Sequence, residues 1–117
     1  MPYTEPLVPA AESAADDQFH MANLFPKHTG LPFVVWISER GNARHDIRVK
    51  VAPGPKALPE EMTSVGLRPD VHVIQGQLSS EHLAQLKRWI ELNRQTLLQY
   101  WNSEIDTVDA LAALQMI

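Results

Sequence analysis

The longest run of helical periodicity in the chain extends from Ser79 to Trp101. Its apolar residues recur at the three- and four-residue spacings that place side chains on one side of a helix. They are Leu83, Leu86, Trp89, Ile90, Leu97, Tyr100 and Trp101. Ser79 or Ser80 can supply the N-cap oxygen, and no Gly or Pro interrupts the run. The pattern predicts a long helix whose apolar stripe faces the core.

Asn93 is a polar residue within this stripe, and Leu92 lies roughly opposite it on the helix. A buried amide without a partner costs about 1–3 kcal/mol. We therefore expect Asn93 either to hydrogen-bond to sheet or loop backbone and fix the helix register, or to line a pocket or an oligomer seam. In the second case Leu92 would belong to a further contact surface.

Two strands are predicted before the helix. Phe33–Ser38 is rich in β-branched and aromatic residues, and Arg44–Val51 alternates between the two faces of a strand. The turn signal Gly41-Asn42 lies between these two segments. One face carries His45, Ile47, Val49 and Val51, and the other carries Arg44, Asp46, Arg48 and Lys50. The prediction is a β-hairpin, in which a two-residue loop puts Trp36 beside Ile47 and a three-residue loop puts it opposite Arg48.

A second hairpin is predicted where Met62–Leu67 and Val71–Gln75 flank Arg68-Pro69-Asp70. After the long helix, Asp106 or Thr107 can cap a short final helix through about Gln115. Its apolar side would carry Val108, Leu111 and Leu114, packed on the long helix or across a homodimer seam. The predicted fold class is α+β: a small antiparallel sheet of two hairpins packed against a long C-terminal helix plus a short final helix.

The net charge of −4 is unevenly distributed along the chain. Residues 1–20 contain Glu5, Glu12, Asp16 and Asp17 and no Lys or Arg, so the remaining ten acidic and ten basic residues balance. Three prolines and the lack of periodicity predict that residues 1–22 form a disordered acidic tail, and that residues 23–117 form a single domain. Nucleic-acid binding would therefore depend on a local basic patch.

Such a patch is predicted on the charged face of the first hairpin. Arg44, Arg48 and Lys50 could follow a line of phosphates, with Trp36 stacking on a base if the loop has three residues. Arg40 and Lys56 would extend the patch. The alternatives are a solvated face whose charge Asp46 and Glu39 partly offset, or a surface that binds an acidic segment of a partner or of this chain's own tail.

Catalytic and metal chemistry have little support in the sequence. The absence of cysteine excludes disulfides, thiolate nucleophiles and Cys-ligated metals. The five histidines lack metal-binding spacing, and phosphate-loop and nucleophile-elbow motifs are missing. We predict no cofactor, metal or catalytic residue, with a small nuclease using His45 as a minor alternative. No apolar run approaches the ~20 residues that span a bilayer, so a cytoplasmic protein without a membrane partner is expected.

The segments GLPFVVWISERGNARHDIRVKV and LRPDVHVIQGQLSSEHLAQLKRWIELNRQTLLQYW resemble the small bacterial domain-of-unknown-function family 4160, over Leu31 to Trp101. The most specific part is Asn93-Arg94, followed by Leu97-Leu98 and Trp101. The family usually has prolines before two closely spaced histidines on the second strand, whereas this chain has Ala43-Arg44 and His45 alone. The resemblance implies a stand-alone domain without an established activity, of a kind suggested to belong with toxin–antitoxin or similar regulatory pairs.

We therefore expect a small non-catalytic regulatory or protein-interaction module, as one component of a toxin–antitoxin-like pair. A protein partner is expected, and a homodimer is an additional option. The alternative is a nucleic-acid-binding protein that uses the basic hairpin face. The candidate binding residues are Trp36, Arg44, Arg48, Lys50 and Asn93.

Overall fold

The computed structural model describes residues 21–54 and 59–117. Five strands form one antiparallel sheet in chain order: β1 (Met21–Leu24), β2 (Val34–Ser38), β3 (Arg48–Ala52), β4 (Thr63–Gly66) and β5 (His72–Gln75). The helices are α1 (Pro26–Thr29), α2 (Ser80–Trp101) and α3 (Thr107–Ala113), and Pro59–Glu61 forms a 3-10 turn. The predicted α+β class, with the long and the short C-terminal helix, is confirmed.

Helix α2 packs its predicted stripe against one face of the sheet. Leu86, Trp89 and Ile90 are fully buried there, and they belong to one apolar cluster with residues of the central strands such as Val49 and Val65. The helix begins as the sequence indicates, because the Ser79 side chain accepts a hydrogen bond from the His82 backbone N–H at 3.0 Å. The N-cap fixes where the helix begins, and the apolar stripe fixes which side of it faces the sheet.

Strand β1 and helix α1 were not predicted from the sequence. Strand β1 pairs with β2 from Met21 opposite Ser38 to Leu24 opposite Val35. Four residues are too few to establish a period, so this strand depends on the neighbour that it pairs with. The predicted tail of residues 1–22 lies outside the described residues, except that its last two residues, Met21 and Ala22, form the start of β1.

The predicted register of the first hairpin is wrong. Trp36 lies opposite Lys50, and neither Ile47 nor Arg48 takes that place. A turn does form at Gly41, whose φ is 53°, but residues 39–47 make a long connection instead of a tight loop. The Arg40 backbone N–H donates to the Trp101 backbone carbonyl at 2.9 Å. The connection is therefore held at the C-terminal end of α2, and β3 starts only at Arg48.

The apolar side predicted for the last helix is wrong for Val108 and Leu111, whereas Leu114 packs against the core as predicted. Ala110 is fully buried, whereas 74% of Val108 and 47% of Leu111 are exposed, and Leu114 is partly buried. The Tyr100 and Thr107 hydroxyls hydrogen-bond at 2.8 Å, which joins the end of α2 to the start of α3. The close approach favours the smallest apolar side chain at the interface and leaves the larger ones outside.

Candidate functional site

The side of the sheet that faces away from α2 carries most of the predicted binding residues, and we call it the outer face. Strand alternation and the separate apolar clusters define its members. They are Val34, Trp36, Arg48, Lys50, Ala52, Ser64, Gly66, His72 and Ile74. The opposite side chains of the same strands, such as Val35, Val49 and Val65, contribute to the core under α2.

Trp36 is almost buried on this face, with 7% of its surface exposed. It clusters with Val34 and Ala52, and Met21 and Met62 pack alongside them. In this arrangement the indole contributes packing to the outer face and presents little aromatic surface to a ligand. The candidate stacking residue is thus placed beside Lys50, its cross-strand partner, but beneath the accessible surface.

The structure brings two of the three predicted basic residues together. Arg48 and Lys50 are two residues apart on β3 and share the outer face, and both are partly exposed. Arg44 is exposed in the connection before β3 and does not belong to the strand. Among the described residues, neither Arg48 nor Lys50 forms an ion pair. Arg48 Nε is also enclosed without a hydrogen-bond partner.

In one of the alternatives, a solvated face, Asp46 partly offsets the charge of the basic residues, but in the structure Asp46 is paired with Arg68. Arg68 Nε donates to Asp46 Oδ2 at 3.0 Å, and Arg68 Nη2 donates to Asp46 Oδ1. Hydrogen bonds from Arg68 lower the pKa of the Asp46 carboxyl below its ordinary value of 3.8, and the same bonds raise the pKa of Arg68. Because this carboxylate already has a cation of its own, the charges of Arg48 and Lys50 are not cancelled by it.

Asn93 is buried and hydrogen-bonds to backbone, as in the first of its two sequence interpretations. Its Nδ2 donates to the Trp89 carbonyl at 2.9 Å and to the Gln115 carbonyl at 3.0 Å, and its Oδ1 accepts from the Gln115 N–H at 2.7 Å. The adjacent Arg94 donates through Nη1 to the Leu67 carbonyl at 3.1 Å. The Asn-Arg pair therefore connects α2 to the segment after α3 and to the end of β4.

The sequence reasoning did not select Gly66 and His72, which lie next to each other on the outer face. A Cβ atom added at Gly66 would lie 2.7 Å from His72 Cε1 and 3.0 Å from His72 Nε2. The imidazole edge thus occupies the space that a side chain at position 66 would need. A glycine inside a strand-forming run, such as Gly66 in Met62–Leu67, is a sequence signal of such a close approach.

The helices expose apolar side chains at two places. On α3, Val108 and Leu111 are three residues apart and lie on the same side of the helix, and we call this pair the α3 ridge. On α2, Leu92 is 47% exposed and borders a shallow groove of about 590 Å³, which Gln95, Leu98 and Gln99 also line. Leu92 therefore lies on an accessible surface, as expected from its position outside the buried stripe.

A protein-family model described as a domain of unknown function (DUF4160) matches residues 57–102. The resemblance to this family is confirmed over these residues, which cover the second part of the predicted range Leu31 to Trp101. The match includes β4, β5 and α2, and with them Asn93 and Arg94, whereas β1 to β3 and α3 lie outside it. The description of DUF4160 names no activity. Neither the curated proteins nor the solved structures include a match to this chain.

Two further findings concern the described residues alone. Within residues 21–54 and 59–117, no group of three or more His, Asp or Glu side chains is arranged to hold a metal ion. In the same part of the chain, no helix combines the length and the apolar character needed to cross a membrane.

Proposed function

We propose that the protein is a small regulatory, protein-interaction module of the cytoplasm, without catalysis of its own. The observation that carries the proposal is the α3 ridge. Helix α3 buries Ala110 and exposes the larger Val108 and Leu111, although the reverse would remove more apolar surface from water. Single exposed apolar residues are normal, but a paired ridge on a short helix offers a partner an apolar contact.

The finer proposal is that this module is one component of a toxin–antitoxin-like pair. It is supported by the resemblance to DUF4160, whose match includes α2, the helix to which α3 is hydrogen-bonded. In such a pair the contact surface must bind one protein partner selectively. The α3 ridge would provide apolar contact area, and the neighbouring carboxylate of Asp109 would help to orient a partner that carries a positive charge.

The test is affinity capture from the native host with mass spectrometry, using the wild type and a Val108→Lys/Leu111→Lys variant. Both positions are exposed, so the variant should keep its fold, which circular dichroism would verify. The matched control is Ala84→Lys/Gln95→Lys, which adds the same charge at exposed positions of α2. We expect one protein to be captured by the wild type and the control but lost with the α3 variant. Identical capture by all three proteins would contradict the proposal.

Growth measurements then test the finer assignment. The captured partner is expressed alone and together with this protein. We expect the partner alone to slow growth and co-expression to restore it. A partner that binds through the α3 ridge but leaves growth unchanged would remove the toxin–antitoxin assignment and leave the interaction module.

Nucleic-acid binding is the second candidate. It is favoured by Arg48 and Lys50, which lie on one face of β3 and form no ion pair within the described part of the chain. If these residues contact phosphates, affinity for oligonucleotides should fall log-linearly with salt, and each charge removed should flatten the slope by about one unit. The comparison of wild type with Arg44→Ala/Arg48→Ala/Lys50→Ala tests this. Equal binding by both proteins would contradict it.

A further inference from the structure

Cationic and hydrogen-bonding side chains converge around Gly66 on the outer face. Gly66 lies opposite Arg48 on β3 and opposite His72 on β5, so the three residues form one row across the sheet. Lys50 lies opposite Ser64 in the adjacent row. Residues on one face of a strand are about 7 Å apart, and neighbouring strands are about 5 Å apart. All these side chains therefore start from one small area.

Gly66 allows the imidazole of His72 to extend across β4 toward Arg48. The ring atoms Cε1 and Nε2 lie 2.7 and 3.0 Å from where a Cβ at Gly66 would be, so they cover the backbone of that residue. Arg48 is the neighbour of Gly66 on the other side. The Cε1–Nε2 edge is thus placed between β5 and β3, in the middle of the row.

The hydrogen bonding of His72 assigns its tautomer. Its Nδ1 lies 2.6 Å from the Asp70 carbonyl oxygen, which can only accept, so Nδ1 carries the proton. Nε2 has no protein partner in the described part of the chain, and in this tautomer it carries the lone pair that accepts a hydrogen bond. The atom that lies above Gly66 is therefore the one left free to bind a ligand.

The positive charge of this area has no counterpart among the described residues. Within residues 21–54 and 59–117, Arg48 and Lys50 have no ion pair and Arg48 Nε is enclosed without a hydrogen-bond partner. The carboxylate of Asp46 is bound to Arg68. Two cations held on one face of a strand repel each other, and an anion between them would remove that repulsion.

We propose that Arg48, Lys50 and His72 form a binding site for a phosphate-type oxyanion above Gly66. Arg48 and Lys50 on β3 and the Ser64 hydroxyl on β4 can donate to phosphate oxygens, and His72 Nε2 on β5 can accept from a P–OH group, so the anion is contacted from several directions. That arrangement suits the tetrahedral oxygens of phosphate better than a planar carboxylate, which a single guanidinium fork binds in one plane. The site is separate from the α3 ridge and does not depend on the proposed protein interaction.

The test is a two-dimensional amide NMR titration of the full chain with sodium phosphate, compared with sodium chloride at matched ionic strength. We expect saturable shifts at Arg48, Lys50, Gly66 and His72 with phosphate alone. Arg48→Gln should weaken phosphate affinity about tenfold or more, the usual effect of losing a charged hydrogen bond. The control Lys87→Gln removes an exposed charge from α2 and should change affinity less than about twofold.

Gly66→Ala tests the geometry without removing any donor. The added methyl must displace the His72 ring, so phosphate affinity should fall about threefold or more. Lys50→Gln provides a second charge variant if Arg48→Gln loses the spectrum of a folded protein. Equal shifts with phosphate and chloride, or unchanged affinity in all folded variants, would overturn the site.

Titrations with two further ligands, a nucleoside monophosphate and a single-stranded oligonucleotide, distinguish a site for phosphate monoesters from a site for phosphodiesters. Binding of the monophosphate alone would support a site for phosphate monoesters and would end the nucleic-acid alternative. Tighter binding of the oligonucleotide, with a log-linear salt dependence that Arg48→Gln flattens, would assign the site to phosphodiesters. Binding of neither ligand, together with no specific phosphate shifts, would contradict the proposal.

Discussion

The side-chain amide of Asn93 hydrogen-bonds to both backbone groups of Gln115, as a neighbouring strand would. Asn93 Oδ1 accepts from the Gln115 N–H at 2.7 Å, and Asn93 Nδ2 donates to the Gln115 carbonyl at 3.0 Å. Two residues later the Ile117 N–H donates to the Thr29 carbonyl at 2.9 Å. The segment after α3 is thus attached first to α2 and then to α1, which explains why a polar residue interrupts the buried stripe.

Replacing Asn93 with Ala should destabilise the protein by about 2–3 kcal/mol, because both hydrogen bonds to Gln115 are lost. Urea unfolding followed by tryptophan fluorescence would measure this. Gln95→Ala, an exposed position on the same helix, is the control and should change stability by less than about 0.5 kcal/mol.

A double-mutant cycle would test whether the loss of stability in Asn93→Ala depends on the hydrogen bonds to Gln115. In a protein truncated after Leu114, Asn93→Ala should cost less than in the full chain, because its partner is already missing. Equal costs in the two backgrounds would show that Asn93 acts through another contact, such as the Trp89 carbonyl.

Trp89→Ala should be among the most damaging substitutions on α2, since the indole is fully buried against the sheet. We expect a loss of about 3–5 kcal/mol in the free energy of unfolding. Leu92→Ala, three residues further along at a 47% exposed position, should have almost no effect. A folded Trp89→Ala variant with wild-type stability would mean that the stripe does not form the core in solution.

The Asp46–Arg68 pair predicts a pH dependence below neutrality. The folded-state pKa of Asp46 lies below its ordinary 3.8, so the stabilisation from this pair is present above about pH 4 and disappears as the pH falls through the folded value. NMR titration of the Asp46 carboxyl would show this. Arg68→Gln should raise that pKa toward 3.8, whereas Arg44→Gln should leave it nearly unchanged. A normal Asp46 pKa in the wild type would contradict the pairing.

The packing of α3 can be tested by enlarging its buried residue. Ala110 is fully buried between α3 and the core, so Ala110→Leu should cost about 1–3 kcal/mol through overpacking. Val108→Ala removes an exposed side chain and should be close to neutral in the same urea experiment. A stabilised Ala110→Leu protein would show that the contact between α3 and the core has room for a larger side chain.

A homodimer through the α3 ridge remains a prediction. Light scattering at two protein concentrations should then give a mass that rises with concentration, and Val108→Lys/Leu111→Lys should abolish the increase. A monomeric mass at both concentrations would remove the dimer and leave the ridge available to a different protein.

The sequence by itself determined the long helix, the second hairpin and the α+β class, and it narrowed the N-cap to Ser79 or Ser80. These features have local causes, because each depends on residues close together in the chain. They are the helical period from Leu83 to Trp101, the Ser79 cap and the Arg68-Pro69-Asp70 turn signal. The polar Asn93 within that stripe also indicated a buried hydrogen-bonding role, although the sequence could not name Gln115 as the partner.

Tertiary structure decided the register of β2 on β3, the orientation of α3 and the site around Gly66. The Arg40 bond to Trp101 holds the connection between the strands at the end of α2, and it joins residues about sixty positions apart in the chain, so no local pattern predicts it. Helix α3 buries Ala110 and exposes Val108, an orientation that depends on how α3 packs on α2 and not on the apolar pattern of α3 alone. Arg48 and His72 share one row of the sheet because both are paired with Gly66. Such pairing depends on which strands become neighbours, and the sequence of one strand does not determine it.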